Sequence, residues 1–274
     1  MANRTEQTEK RAKIRLLLGL EKKTQQEMRD ALEKAYNLSA DSLAANGYLS
    51  DQAGYYAALK FESLLRRHYR RVEDVFARRA LVVFAEMIGA RPAKKAAQRE
   101  DRVTVRPPAK YANAFDEYVE RVALTKAKMI AETTLNDIRD IIREGQQEGV
   151  GYAEMARDIR EIAPAIASYR AATIAITETH SAAMFAENTM TSALSEEYNV
   201  RTVKSWISAE DGRTRLAHSV ANGQTVEMED KYKVGGEMLE FPGDPRGSAA
   251  NTVRCRCVQR YKIIEDSSPL ATTR

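Results

Sequence analysis

The chain has 274 residues, 43% hydrophobic and 30% charged. That is long enough to bury a sizeable core in one large or two ordinary domains, and too apolar for a disordered chain. It has no run of about 18 apolar residues that would span a membrane, and the start, MANRTEQTEKRAKIRLLLGLEKK, lacks the apolar core of about 7–15 residues that a signal peptide needs. The formal net charge of +4 hides an asymmetry: residues 1–110 carry 23 basic and 14 acidic side chains, and residues 111–274 carry 20 and 25. Only the first part therefore suits a polyanion, the plainer reading being a solvated helical surface.

Residues 6–37 predict an amphipathic helix, with Ile14, Leu17, Leu18, Met28, Leu32 and Tyr36 at helical spacing. Asn46-Gly47 marks a turn. A long helix is predicted from the Ser50 cap to Gly89, with Tyr55, Leu59, Leu65, Tyr69, Val72, Phe76, Val83 and Met87 on one stripe. At 1.5 Å per residue it would be about 60 Å long, and such a helix needs partner helices or other subunits to cover its stripe. Part of the stripe is expected to remain for another molecule.

Residues 91–110, RPAKKAAQREDRVTVRPPAK, hold seven basic residues, two acidic ones and three prolines, and read as a linker. They carry no interleaved aromatics, so a nucleic acid would be touched at its phosphates, without sequence reading. Arg66, Arg67, Arg70 and Arg71 of the long helix, with Lys94 and Lys95 of the linker, are the candidate DNA contacts.

A further helix is predicted over 112–144, with Phe115, Tyr118, Val122, Met129, Ile138 and Ile141 inward. Gly145 to Gly151 breaks it, the short helix YAEMARDIREI follows, and Pro164 suits the first turn of a helix through about Tyr198. After Val200 the character changes: RTVKSWIS reads as strand, and Asp211-Gly212 and Asn222-Gly223 are turn dipeptides. The expectation is a mainly α protein with a small C-terminal α+β module. Its segments are 1–110 with the linker at 91–110, a helical region 111–200, and a strand- and loop-rich module 201–274.

Cys255 and Cys257 are the only cysteines. On a strand, residues i and i+2 share a face, which opposes a disulfide between them and lets two thiolates share a metal. Zinc takes four ligands, usually Cys or His, so His218 is a candidate third and His180 or Asp244 a candidate fourth. The alternative is two small side chains packed under a sheet. Asp211, Arg213, Arg215 and His218 offer an acid and a base, but no G-x-S-x-G, P-loop or H-E-x-x-H accompanies them. They read as an ion-pair network that fixes a turn, and no catalytic residue is assigned. Glu178 and His180 stand two apart on a helix and do not share a face. Glu178 reads as a buried carboxylate paired with an arginine from elsewhere, and His68 as ordinary surface.

Several of these pieces, taken in order, carry a resemblance: Trp206, the run Asp211-Gly-Arg213-Thr-Arg215-x-x-His218, Asn222-Gly223, the Pro-Gly-Asp-Pro loop at 242–245 and Cys255-Arg-Cys257. With the upstream helix RAATIAITETHSAAMFAEN from Arg170, which includes a Thr-Glu-Thr signature, they resemble the phage Mu F-like minor head proteins, a family that takes in the SPP1-type head morphogenesis proteins. The resemblance runs from about Asp137 to Tyr261. It implies a non-enzymatic minor capsid protein, assembled in the host cytoplasm and placed in the virion on the capsid interior near the portal. Implied partners are the portal, capsid or scaffold proteins and packaged double-stranded DNA, bound without sequence preference. Implied roles are head assembly and DNA packaging or ejection, with multiple copies present. The alternative from the residues alone is a metal-dependent hydrolase or nuclease built on Cys255, Cys257 and His218. No cofactor is expected apart from zinc at those three.

Overall fold

The computed structural model describes residues 4–92 and 104–264, with side chains from residues 7–90 and 105–264. Four long helices carry most of it: α1 (Arg4–Asn46), α2 (Asp51–Met87), α3 (Ala109–Gln147) and α4 (Tyr152–Glu197). Between α2 and α3, two short strands, β1 (Arg91–Pro92) and β2 (Thr104–Val105), pair in parallel. After α4 come β3 (Thr202–Ile207), α5 (Leu216–Val220), β4 (Thr225–Glu227), β5 (Tyr232–Val234), β6 (Glu237–Leu239), α6 (Ala249–Thr252) and β7 (Val258–Ile263). The protein is mainly α with a small C-terminal α+β module, as the sequence predicts. Among the described residues, no helix is long and apolar enough to cross a membrane.

The helix limits follow local chemistry. α2 starts directly after Ser50 with Asp51 in its first turn, where a carboxylate meets the positive end of the helix dipole. It ends where Gly89 takes a left-handed conformation at φ 68° and the Ala90 amide bonds back to the Ala85 carbonyl at 2.7 Å. α1 runs past the predicted end at residue 37, because Ala40 and Leu43 continue its buried face. One element differs in kind. Pro164 does not open a helix but lies inside α4. Its ring and Arg160, whose carbonyl loses its intrahelical donor, are both exposed, so water can serve that carbonyl while Ala163 and Ala167 keep the inner face packed.

The described residues form two compact units. One gathers the chain up to Leu18, residues 71–117 and the chain from Thr179; the other gathers 19–70 and 118–178. Each long helix contributes a stretch to each unit, so the units do not follow the chain-order segments 1–110, 111–200 and 201–274.

The second unit is helical. Its core packs Tyr36, Ala40 and Leu43 of α1 against Ile138 of α3 and Met155, Ala156, Ile159 and Ala163 of α4. Arg170 ties the helices at the core margin, donating to Asp137 (3.0 Å), Thr134 (2.8 Å) and the Ile130 carbonyl (3.1 Å). His68 belongs to this interior rather than to the surface: it is fully buried, with Nδ1 2.6 Å from the Thr24 hydroxyl. The α2 stripe divides. Leu65, Tyr69, Val72 and Phe76 are fully buried, while Tyr55 and Leu59 are 70% and 49% exposed. From Leu65 to Phe76 the stripe is therefore core, Val83 and Met87 beyond it are half-buried, and the apolar length expected for another molecule shrinks to the two ends of the stripe.

The first unit holds the C-terminal module. β3 is the central strand of an antiparallel sheet ordered β4-β3-β7, and all six of its residues are buried. β5 and β6 form a separate hairpin. Helix ends pack with the module. Phe115 of α3, Phe185 of α4 and Phe241 stack in sequence, each pair of rings 5.8 Å apart. Lys13 of α1 donates to Glu187 of α4 (2.7 Å) and to the Gln259 carbonyl of β7 (2.6 Å).

Candidate functional site

Strand β3 delivers Trp206 to the middle of the module. Its ring is fully buried, edge-on to His218 (centroids 5.5 Å apart) and to Tyr232 (5.4 Å). Ala221, Val234, Leu239, Cys255 and Cys257 complete that cluster. The Asn222-Gly223 turn clamps the strand backbone. The Gly223 amide donates to the Trp206 carbonyl (2.8 Å), the Trp206 amide to the Gln224 carbonyl (2.9 Å), and the Ser208 amide to Asn222 Oδ1 (2.8 Å).

The Asp211 run is a turn, as its residue types suggest. Asp211 Oδ1 accepts from the Arg213 amide and the Thr214 hydroxyl, both at 3.1 Å, and Oδ2 accepts from the Arg213 guanidinium. Against the desolvation that raises it, these bonds hold the Asp211 carboxyl below its usual range. Asp211 and Arg213 are exposed and spent on one another, so they contribute no acid or base to His218. Arg215 does more. It stands one turn before His218 at the start of α5, and its guanidinium donates to the Val253 carbonyl, just ahead of the two cysteines.

Cys255 and Cys257 lie in the extended segment before β7 rather than in a strand, after Arg254 turns the chain with a φ of 54°. Burial still alternates there: the cysteines face in, Arg254 is exposed and Arg256 half-buried. The expected same-face geometry is reached by an extended loop. His218 Nδ1 sits 3.3 Å from Cys257 Sγ and 3.7 Å from Cys255 Sγ. All three donor atoms lie within 4.8 Å of one another, and all three residues are buried. Cys255 donates to Cys257, which with His218 and the Ala209 amide draws the Cys257 thiol down to about 5; the same thiol–thiol bond and burial push Cys255 up.

The two fourth-ligand candidates are engaged elsewhere. His180 of α4 places Nε2 2.7 Å from the Cys257 carbonyl, and burial lowers its pKa to about 4. The chain passes so close to its ring that only glycine fits at 243: φ there is 79°, and a Cβ would stand 2.5 Å from His180 Nδ1. Asp244 is buried but bonds the Arg246 guanidinium (2.7 and 2.9 Å) and the amides of Glu240 (3.0 Å) and Arg246 (3.1 Å). It organises the Pro-Gly-Asp-Pro loop.

The remaining sequence candidates lie apart from this cluster. Glu178 is buried, as expected, but its hydrogen-bond partner is the Tyr69 hydroxyl at 2.5 Å where an arginine was expected. Burial raises its pKa, opposed by Lys126. The Arg66 guanidinium is held by Glu62 and Glu120, Arg71 is half-buried, and Arg67 and Arg70 are exposed. Lys94 and Lys95 lie outside the described residues.

The sequence reading missed two buried cations. Lys13, 2% exposed, shares Glu187 with Arg79 (3.5 Å). Lys204 on β3 donates to the Glu240 carbonyl (2.9 Å) and lies 5.5 Å from the centre of the Tyr232 ring; burial, against the pull of Glu240, lowers it to about 8. The available signal was position: Lys13 stands one turn before Leu17 on the inner face of α1, and Lys204 stands two residues before Trp206 on the same face of β3.

Residues 136–260 match the family described as Phage Mu protein F like protein, nearly the stretch over which the resemblance runs. Over 134 residues the chain is 28% identical to the NAD(+)--arginine ADP-ribosyltransferase EFV of Enterococcus faecalis, which covers 48% of this chain and 26% of that protein. Over 130 residues it is 28% identical to the Minor head protein GP7 of Bacillus phage SPP1, which covers 47% of this chain and 41% of that protein. The matched stretches thus span less than half the length of either relative. No solved structure matches the chain. The matched residues hold Trp206, the Asp211 turn, His218, the Asp244 loop and both cysteines, and over that stretch the chain is similar to the phage Mu F-like head morphogenesis proteins.

Proposed function

We propose that this protein is a structural component of a phage head, a minor capsid protein built in beside the portal or on the inner capsid wall. The observation that carries the reading is the match of residues 136–260 to the Mu F-like family together with the likeness to a minor head protein. The geometry agrees in kind. Asp211, Arg215 and Asp244 are spent on holding turns, and His218, Cys255 and Cys257 are buried away from any substrate. That burial gives the metal-dependent hydrolase no support. The transferase activity in the name of the E. faecalis relative belongs to that protein, of which the match covers 26%.

The partners in this reading are the portal ring and the capsid or scaffold proteins, met during assembly in the host cytoplasm. Packaged DNA is met at Arg67 and Arg70, the exposed members of the basic run on α2. Protein mass spectrometry on purified procapsids and virions tests the role, with the chain expected in both at fewer copies than the major capsid protein. Its absence from both particles overturns the role. Replacing Arg67 and Arg70 with Glu should weaken DNA binding and flatten its salt dependence, each lost phosphate contact removing about 0.9 from the log–log slope.

A further inference from the structure

We propose that His218 Nδ1, Cys255 Sγ and Cys257 Sγ together hold a thiophilic divalent cation of the zinc class, as a structural clamp of the C-terminal module. The proposal does not rest on the head role. It rests on three donor atoms brought to one point from two elements distant in sequence, α5 and the segment ahead of β7.

Zinc sits about 2.3 Å from sulfur and about 2.0–2.1 Å from imidazole nitrogen, so in a tetrahedral site the N···S edge is about 3.6 Å and the S···S edge about 3.8 Å. The observed His218 Nδ1 to sulfur distances are 3.3 and 3.7 Å, and the whole set lies within 4.8 Å. The donors are therefore already spaced as ligands, and an ion needs only small shifts to be seated. The donor set selects the metal. Two thiolates and an imidazole suit zinc and other soft ions, whereas magnesium and calcium take oxygen ligands.

The surroundings act on the ligands as outer partners act in metal sites. Arg215 ties α5 to the Val253 carbonyl and so fixes His218 against the cysteine segment. His180 holds the Cys257 carbonyl from the other side. The Ala209 amide donates to Cys257 Sγ, an N–H···S bond that a metal-bound thiolate can keep. Among the described residues, no other His, Cys, Asp or Glu joins the set, so the fourth position falls to a small donor such as water. An open position of that kind marks catalytic zinc when a substrate can reach it. Here the ligands are 2%, 1% and 2% exposed, which assigns the ion a structural task.

Trp206, the only tryptophan, stands edge-on to the His218 ring and reports on the site. The full chain, purified under reducing conditions and stripped with a chelator, is titrated with cobalt(II). The expected result is a thiolate-to-cobalt charge-transfer band with tetrahedral ligand-field bands, saturating at equimolar cobalt, with quenching of Trp206 emission. Zinc should then erase the bands. Cys257→Ser and His218→Asn should each abolish or strongly blue-shift the charge-transfer band while far-ultraviolet circular dichroism keeps its helical signal. Absence of the band in wild type overturns the proposal and leaves a buried Cys–His hydrogen-bond cluster. So does a band unchanged in both variants, which would put the cobalt elsewhere. The wild-type titration keeps the test decisive even where a variant fails to fold.

Discussion

The helical unit and the C-terminal module bury their interiors by different means. Around Tyr36, Ile138 and Ile159 the helices rely on repeated small and aliphatic side chains, with the Arg170–Asp137 tie at the margin, and only a few polar pairs, such as His68 with Thr24, are buried elsewhere in the unit. The module has short strands and helices of five and four residues, too short to stand alone. It compensates with one large ring, three clustered metal-type donors, buried Lys204 and carboxylates that close turns. The same chain thus shows a core specified by period and a core specified by particular groups.

The largest expected effect breaks that contrast at its centre. Trp206→Ala should cost about 3–5 kcal/mol, because the ring packs on Tyr232, His218 and both cysteines and a cavity would replace it. Urea unfolding followed by circular dichroism checks this; a loss below about 1 kcal/mol would mean the module does not depend on that ring. In the helices the sign reverses. Pro164 sits exposed inside α4, where proline is about 3 kcal/mol worse than alanine in a helix interior, so Pro164→Ala should stabilise by about 1–3 kcal/mol. An unchanged or lowered melting temperature would show that the packing requires a bend there.

The smallest effects are pH slopes, and they differ in sign between the regions. Burial raises the folded pKa of Glu178 above the unfolded value of about 4.3. Its stability contribution is full below that value and lost as pH rises through the raised one, because the native state then keeps a proton the unfolded chain has released. Glu178→Gln should therefore gain on wild type more at about pH 8 than at about pH 5. Lys204 is lowered to about 8 in the folded protein. There the unfolded chain holds the extra proton, so stability rises with pH from about 8 towards the unfolded value of about 10.4. Lys204→Met should flatten that rise. Thermal melts of each variant across pH read both slopes, and profiles parallel to wild type would remove the assigned cause.

What the sequence determined by itself was the helical character and extent of most of the chain, the change at Val200, and the identity of the clustered groups. Apolar spacing, Ser50, Gly89 and the turn dipeptides are local signals, and helices and tight turns answer to local signals. The pairing of Cys255 with Cys257 was legible for the same reason, since alternation along extended backbone needs no partner. Tertiary structure decided the rest. Period reports that a face is buried and not what it is buried against, so the α2 stripe could be read as open while Leu65, Val72 and Phe76 are core. Pro164 reads as the start of a new helix by local rule, but packed alanines on the inner face and an exposed outer one carry α4 through it. Lys13, His68 and Lys204 look like surface residues until Glu187, Thr24 and the Glu240 carbonyl arrive from distant parts of the chain to satisfy them. Whether a polar group can be buried depends on a partner, and that partner is fixed only when the chain has folded.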